Sequence, residues 1–253
     1  MGTDLQKASL WKRIAAWMLD AILLGIVAVG CAYGLSAALG YDGYNTAVEE
    51  AYSKYESEYG IVFDIDAETY EQMTEQELEN YQKAYEALIS DEETMHAYNM
   101  VINLALLITT GGILAGTLLL DFAVPLIFKN GVTVGKKVFG LGLVRADCVK
   151  ISTMQLFVRA LIGKFTVETM IPVYLVLMIF GGMMDITGTI VICGIGITQV
   201  VLYCVTRNNT VIHDAFAGTV VVDLASQRIF DSTDELIEYE KKLHAEQVAR
   251  QDY

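Results

Sequence analysis

The run IAAWMLDAILLGIVAVGCAYGLSAAL, Ile14–Leu39, holds 26 residues with one charge, Asp20, and follows directly on Lys12 and Arg13. A helix of about 20 mostly apolar residues crosses a bilayer, so the run predicts a spanning helix. A cleaved signal peptide is the competing reading, but its apolar core is only about 7–15 residues long and an aspartate is out of place in it. Three further runs have the same character. Asn99–Phe128 carries only Asp121, Phe165–Met184 holds Glu168 near its start, and Ile186–Val205 has no charge. The expectation is an all-α membrane protein with four transmembrane helices and an extracytoplasmic acidic helical insert between the first two. Composition agrees: of 253 residues, 54% are hydrophobic and 19% charged, against about 25% charged in soluble domains. Such blocks exclude an ordinary soluble enzyme, a disordered chain and a disulfide-stapled module.

Net charge is −14, and its location says more than its size. Residues 41–98 hold 16 Asp/Glu against Lys54 and Lys83, which leaves 15 acids and 15 bases elsewhere. The insert carries the whole imbalance. No basic stripe offers nucleic acid an electrostatic footprint. Bases gather at Lys7, Lys12 and Arg13, then at Lys129, Lys136, Lys137, Arg145 and Lys150, and again at Arg207. The positive-inside rule makes these segments cytoplasmic. The chain then divides into N-terminus and first span (1–40), acidic extracytoplasmic insert (41–98), second span (99–128), basic cytoplasmic loop with an interfacial helix (129–164), third and fourth spans (165–205) and cytoplasmic tail (206–253). This places it in the cell membrane as a multi-pass protein with both termini cytoplasmic. The lipid bilayer is its first partner.

Between the spans the signals are local. Thr74 to Glu77 reads as a capping box, with Leu78, Tyr81, Tyr85 and Leu88 at helical spacing after it, in a helix that can continue through His96. Nine of the 14 tyrosines lie in the insert. A solvated helical hairpin is the plain reading of them, and a surface for a partner or cations the sharper one. Asp64, Asp66 and Glu68 alternate as in a calcium loop but lack its glycine and final glutamate. Gly131 to Lys137 has three residues between its glycines and a second lysine after the first, so it is no phosphate loop. Ser152–Lys164 reads as an interfacial helix from which Arg159 reaches headgroups or turns inward to an acid. The β-branched runs at 140–145 and 219–223 can pair as a small sheet. Ser232 to Glu235 opens a charged C-terminal helix, expected to be exposed or bound to a partner. Cys31, Cys148, Cys193 and Cys204 show no metal spacing or disulfide framework and read as buried small apolar side chains.

The charges inside the spans carry the functional argument, because each costs about 2.5–3.5 kcal/mol at a helix centre. Asp20 lies seven residues past Arg13 and Asp121 eight before Lys129, which puts both about 10–12 Å in from the cytoplasmic boundary at about 1.5 Å per residue. Gln199, eight before Arg207, matches that depth, and Glu168 is shallower. Two neighbouring carboxylates cannot both ionise cheaply, so one keeps a proton or a cation sits between them. Asp20, Asp121, Glu168 and Gln199 are therefore the candidate cation or proton site. No catalytic residue, metal ligand set or cofactor motif is found. His213-Asp214 has no nucleophile, so an enzyme is not expected.

Ala8-Ser9-Leu10-Trp11-Lys12-Arg13 through Asp20 resembles the opening of the RDD family of multi-pass membrane proteins, named for one arginine and two aspartates. Gly131-Val132-Thr133-Val134-Gly135-Lys136-Lys137 through Gly140-Leu141 is similar to its glycine-punctuated loop, and His213-Asp214-Ala215-Phe216-Ala217-Gly218-Thr219-Val220-Val221 to its closing segment. The resemblance implies that Arg13, Asp20, His213 and Asp214 are signature residues. It covers residues 8–40 and 100–225 and leaves the acidic insert outside. Some members are linked to cation/proton antiport, so the resemblance implies movement of small cations or protons, in a homo-oligomer since four spans make a slender pathway. The alternative is a non-transporting assembly or partner-binding protein whose buried charges stitch spans together: Arg13 with Asp214 or Asp121, and Asp20 with Arg159. Gly112 to Gly116 reads as a close-packing face.

Overall fold

A computed structural model of the chain describes residues 5–128, 131–169, 186–206 and 208–251. It is mostly helical. Helix α1 runs Leu10–Leu39, α2 Tyr41–Tyr59, α3 Ala67–Glu71, α4 Glu75–Ser90 and α5 Glu92–Thr117. The last widens into π-helical winding over Leu118–Ala123 and ends in α6, Val124–Phe128. Then come α7 (Val134–Val138), β1 (Leu141–Arg145) and α8 (Thr153–Phe157), which widens in turn into π-helical winding over Val158–Glu168. Helices α9 (Ile186–Val205) and α10 (Ile212–Ala217), strand β2 (Thr219–Asp223) and helix α11 (Thr233–Gln251) complete the order.

Among the described residues two helices are long and apolar enough to cross a membrane, Leu10–Leu39 with mean hydropathy 2.2 and Glu92–Phe128 with 1.9. These are the first two expected spans. Helix α9 covers the range of the fourth. The third, beyond Thr169, lies outside the described residues. The chain forms two compact units, Gly30–Gly112 and Met1–Val29 with Ile113–Tyr253.

In the unit Gly30–Gly112 the insert's tyrosines build their own small core. Phe63 sits edge-on between Tyr52 (5.3 Å) and Tyr81 (5.7 Å), and Tyr81 meets Tyr70 at 5.7 Å. Thr74 starts α4 as the capping box requires: the Glu77 N–H donates to its Oγ1 at 3.4 Å, and its own N–H donates to Glu77 Oε2 at 2.9 Å. Asp66 caps α3 by accepting from the Thr69 N–H at 2.8 Å, which accounts for the aspartate without calcium. The helix does not continue unbroken through His96. Asp91 interrupts it, accepting from the Glu93 and Thr94 N–H groups at 3.0 and 3.3 Å through Oδ1 and from the Tyr55 hydroxyl at 2.9 Å through Oδ2. One carboxylate thus serves two orphan donors of a new helix and a buried phenol.

In the other unit, β1 and β2 pair antiparallel, Leu141 opposite Asp223 through Arg145 opposite Thr219, so the fold is not purely α. Side chains alternate across a strand. Leu141, Leu143 and Val221 pack with Ala8 and Ala16, while Val144, Val220 and Val222 pack with Leu5 and Ile229. Both faces of this two-stranded sheet are therefore covered. Lys7 bridges Val222 on the outer edge of β2. Gly116 lets the second long helix approach α1, since a Cβ there would lie 3.0 Å from Leu24 Cδ1.

Two expectations need correcting. Helix α11 is not wholly exposed: Leu236 is buried with Cys148, Val149 and Phe230, and Tyr239 packs on Phe230 at 5.3 Å. Of the four cysteines Cys148 alone is buried, Cys31 is half-buried, and Cys193 and Cys204 lie on the outward surface of α9.

Asp91→Ala should cost about 1 kcal/mol through the lost cap. Hydrogen exchange at Glu93 and Thr94 should quicken, with no change at the amides of β1. Unchanged exchange at both would mean that the cap contributes nothing.

Candidate functional site

The site grows from short helix starts that need partners. Helix α7 opens at Thr133, whose side chain accepts from the Lys136 N–H at 3.4 Å. Its next orphan donor, the Gly135 N–H, goes to Asp20 Oδ1 at 2.7 Å, and the Thr133 hydroxyl donates to Asp20 Oδ2 at 2.5 Å. Asp20 on α1 thus holds the loop helix by two hydrogen bonds. Only glycine fits at 135, because a Cβ would stand 2.2 Å from the Ala16 carbonyl oxygen.

Helix α10 is served the same way. Val211 gives it no side-chain cap, so its first donors turn to other elements. The Ile212 N–H reaches Gln199 Oε1 at 3.0 Å, and the His213 N–H reaches Glu168 Oε1 at 3.0 Å. The same Glu168 oxygen meets His213 Nδ1 at 2.5 Å. Gly163 permits the approach, since a Cβ there would lie 2.7 Å from His213 Cα.

Asp214 follows on α10 with no exposed surface. Arg159 donates to it through Nε at 2.9 Å, Thr219 through its hydroxyl at 3.2 Å, and Arg13 through Nη2 at 3.5 Å. Arg13 also donates to the Asn209 carbonyl at 2.8 Å and lies over the Tyr203 ring, 5.1 Å from its centroid. Burial alone would raise the Asp214 carboxyl. The Arg159 guanidinium beside it, with His213, Arg13 and Lys136, holds it well below the usual carboxylate range.

These groups surround a cavity of about 350 Å³, lined among others by Asp20, Glu168, Gln199, Lys136, Arg159 and Lys164. Three of the four expected site residues therefore share one space. The fourth, Asp121, is buried in the π-helical turn and paired with Lys164. Asp20 and Asp121 each have donors of their own, Thr133 and the Gly135 N–H for the first and Lys164 for the second. Arg159 pairs with Asp214 rather than with Asp20.

Sequence reading missed Lys136 and Lys164 as inward residues, having assigned the first to the cytoplasmic charge and the second to the interfacial helix. Lys136 is 8% exposed. Its ammonium meets the Thr133 hydroxyl at 3.4 Å and, among the described residues, no carboxylate within 4.0 Å. Burial, then the charges of Arg159 and Lys164, push it down to about 7 against the pull of Asp20 and Asp121. The signal was Thr133 three residues before it: a capping threonine commits Lys136 to the first turn of a helix. Among the described residues no cluster of His, Cys, Asp or Glu is arranged to hold a metal ion.

A scan against protein families matches residues 7–218 to the RDD family. The chain belongs to the RDD family. Its members are membrane proteins. No curated protein matches the sequence, and no solved structure does. In this RDD protein the arginine and aspartates of the signature line one cavity but make separate contacts. Arg13 and Asp214 bond to each other, whereas Asp20 serves the loop helix carrying Gly135.

Gly135→Ala and Gly163→Ala should each destabilise the detergent-solubilised protein by about 1–3 kcal/mol or more through overpacking, whereas Gly25→Ala, with nothing within 4 Å, should be neutral. Thermal unfolding of the three variants checks this. Asp214→Asn should cost about 3–5 kcal/mol by stranding two guanidinium groups. A depressed carboxyl contributes stability above its unfolded value of 3.8 and loses it as pH falls toward the lower folded value. The difference between wild type and Asp214→Asn should therefore be flat from neutral pH down to about 5 and shrink below about 4.

Proposed function

We propose that this RDD protein crosses the membrane four times with both termini cytoplasmic, and that its cavity exchanges protons in the movement of a small cation. The observation that carries this reading is the Lys136 ammonium, buried against a cavity wall without a carboxylate in contact among the described residues. A lysine held near 7 changes charge in the physiological range, as a group that loads and releases protons must. His213 lines the same cavity between Glu168 and Asp214. Burial, then Arg159, lowers its pKa against the pull of both acids. A cation competing with the proton would have to reach Asp20 or Glu168, whose oxygens already accept hydrogen bonds.

A second reading is favoured by that last fact. Asp20, Asp121, Glu168 and Asp214 all have donors of their own. A network so fully engaged serves a non-transporting assembly protein equally well, with its partner taken up by the insert or the tail.

Flux in proteoliposomes separates the two. Wild type should move protons when a sodium or potassium gradient is imposed, with a midpoint near pH 7. Lys136→Arg, which keeps its charge at all accessible pH, should lower that flux about tenfold while leaving thermal stability unchanged. Silence of the wild type under every sodium, potassium and proton gradient would leave the assembly reading.

Topology is checked apart from activity. With the four native cysteines replaced, a cysteine at Ser57 should react with an impermeant reagent in intact cells and one at Ser226 should not. Both positions are exposed on the protein surface. The reverse pattern would overturn the orientation.

A further inference from the structure

We propose that the Lys136 ammonium binds a phosphate group in the cavity, carried by a lipid headgroup or free in the cytoplasm. The first ground is the state of the lining acids. Asp20 is taken by the Thr133 hydroxyl and the Gly135 N–H, Glu168 by the His213 N–H and ring, and Asp214 by Arg13, Arg159 and Thr219. Donors, in contrast, are left over. Lys136 has three N–H bonds to give and one long contact to a hydroxyl. Arg159 and Lys164 line the same space, so an anion there meets three bases and carboxylates already screened by their own donors.

Size and wall chemistry point the same way. About 350 Å³ falls in the range of small-molecule pockets, roughly 300–1,000 Å³, and far exceeds what one desolvated monatomic ion fills. The remaining wall includes Leu10, Ile14 and Trp17 of α1, whose outer surfaces are 46%, 36% and 65% exposed. Hydrocarbon beside a basic pocket at the cytoplasmic end of a spanning helix is the arrangement that takes anionic headgroups. Binding of a phosphate group rests on the cavity, its lipid source rests in addition on the proposed topology, and neither requires that an ion is moved.

Binding is linked to pH through Lys136. The groups that face it are Asp20 from α1, Asp121 from the π-helical turn, Arg159 and Lys164 from the second π-helical segment, and Asp214 from α10. An anion on the ammonium favours its charged form. Phosphate binding therefore takes up a proton and weakens as pH rises above about 7, where free Lys136 becomes neutral.

The test uses the full chain purified in detergent, with inorganic phosphate, short-chain phosphatidic acid and short-chain diacylglycerol as probes. At about pH 6 phosphate or phosphatidic acid should raise the melting temperature, and diacylglycerol should not. Tight binding of phosphatidic acid with no response to phosphate assigns the source to a headgroup; equal affinity for both assigns it to the free anion. Affinity should fall about tenfold in Lys136→Met and be retained in Lys136→Arg and Lys150→Met. Between about pH 6 and about pH 9 wild type should lose affinity relative to Lys136→Arg, which stays charged and corrects for titration of the phosphate itself. No response to either phosphate-bearing probe overturns the proposal. So does unchanged affinity in Lys136→Met. Should that variant not fold, the arginine variant decides: identical pH dependence in it and in wild type overturns the proposal.

Discussion

Asp214 is a carboxylate without solvent, and the rest of the larger unit is arranged so that it never stands alone. Taking such a charge out of water costs several kcal/mol, which only close opposite charge with further hydrogen bonds offsets. Arg159 and Thr219 supply both, and Arg13 completes the set from the start of the first long helix. The approach of α1, α10, the π-helical segment and β2 follows from this one requirement. So do the glycines: 163 lets the π-helical segment close on α10, and 135 lets α7 close on α1.

The two π-helical segments belong to the same economy of space. In i→i+5 winding, residues five apart lie nearly over one another, and such turns collect at functional sites. Arg159 and Lys164 are five apart in the second segment. Both therefore turn inward, one to Asp214 and the other to Asp121, which itself sits in the first segment. An ordinary α-helix would leave the two bases on diverging faces.

Much of this was legible from residues alone. The long runs after Arg13 and Asn99, the capping box at Thr74 and the pairing of 140–145 with 219–223 all follow from local chemistry, whereas charge bookkeeping narrowed the partner of Arg13 only to Asp214 or Asp121, and the structure selects Asp214. What escaped the reading depends on contacts between distant segments. Nothing near Asp20 announces that its partners are a threonine hydroxyl and a backbone N–H more than a hundred residues later. Lys136 was counted as solvent-facing charge because the orientation rule sums charges without asking where each side chain turns, and Lys164 was read only as the end of an interfacial helix. Glu168 and Gln199 were read as site residues from their depth, and depth gave no sign that they accept from the opening amides of α10. Depth says how costly a polar group is, not which donor offsets that cost.

Arg13, Arg159 and Asp214 are also met in a fixed order as the chain leaves the ribosome. The two guanidinium groups arrive first, and their shared carboxylate only after another 55 residues beyond Arg159. Strand β1 likewise waits for β2, which follows Asp214 by five residues. A nascent chain therefore holds Arg13 without the Asp214 carboxylate for 201 residues and Arg159 for 55, so the buried site closes late. Chains truncated between Arg159 and Asp214 retain that uncompensated pair.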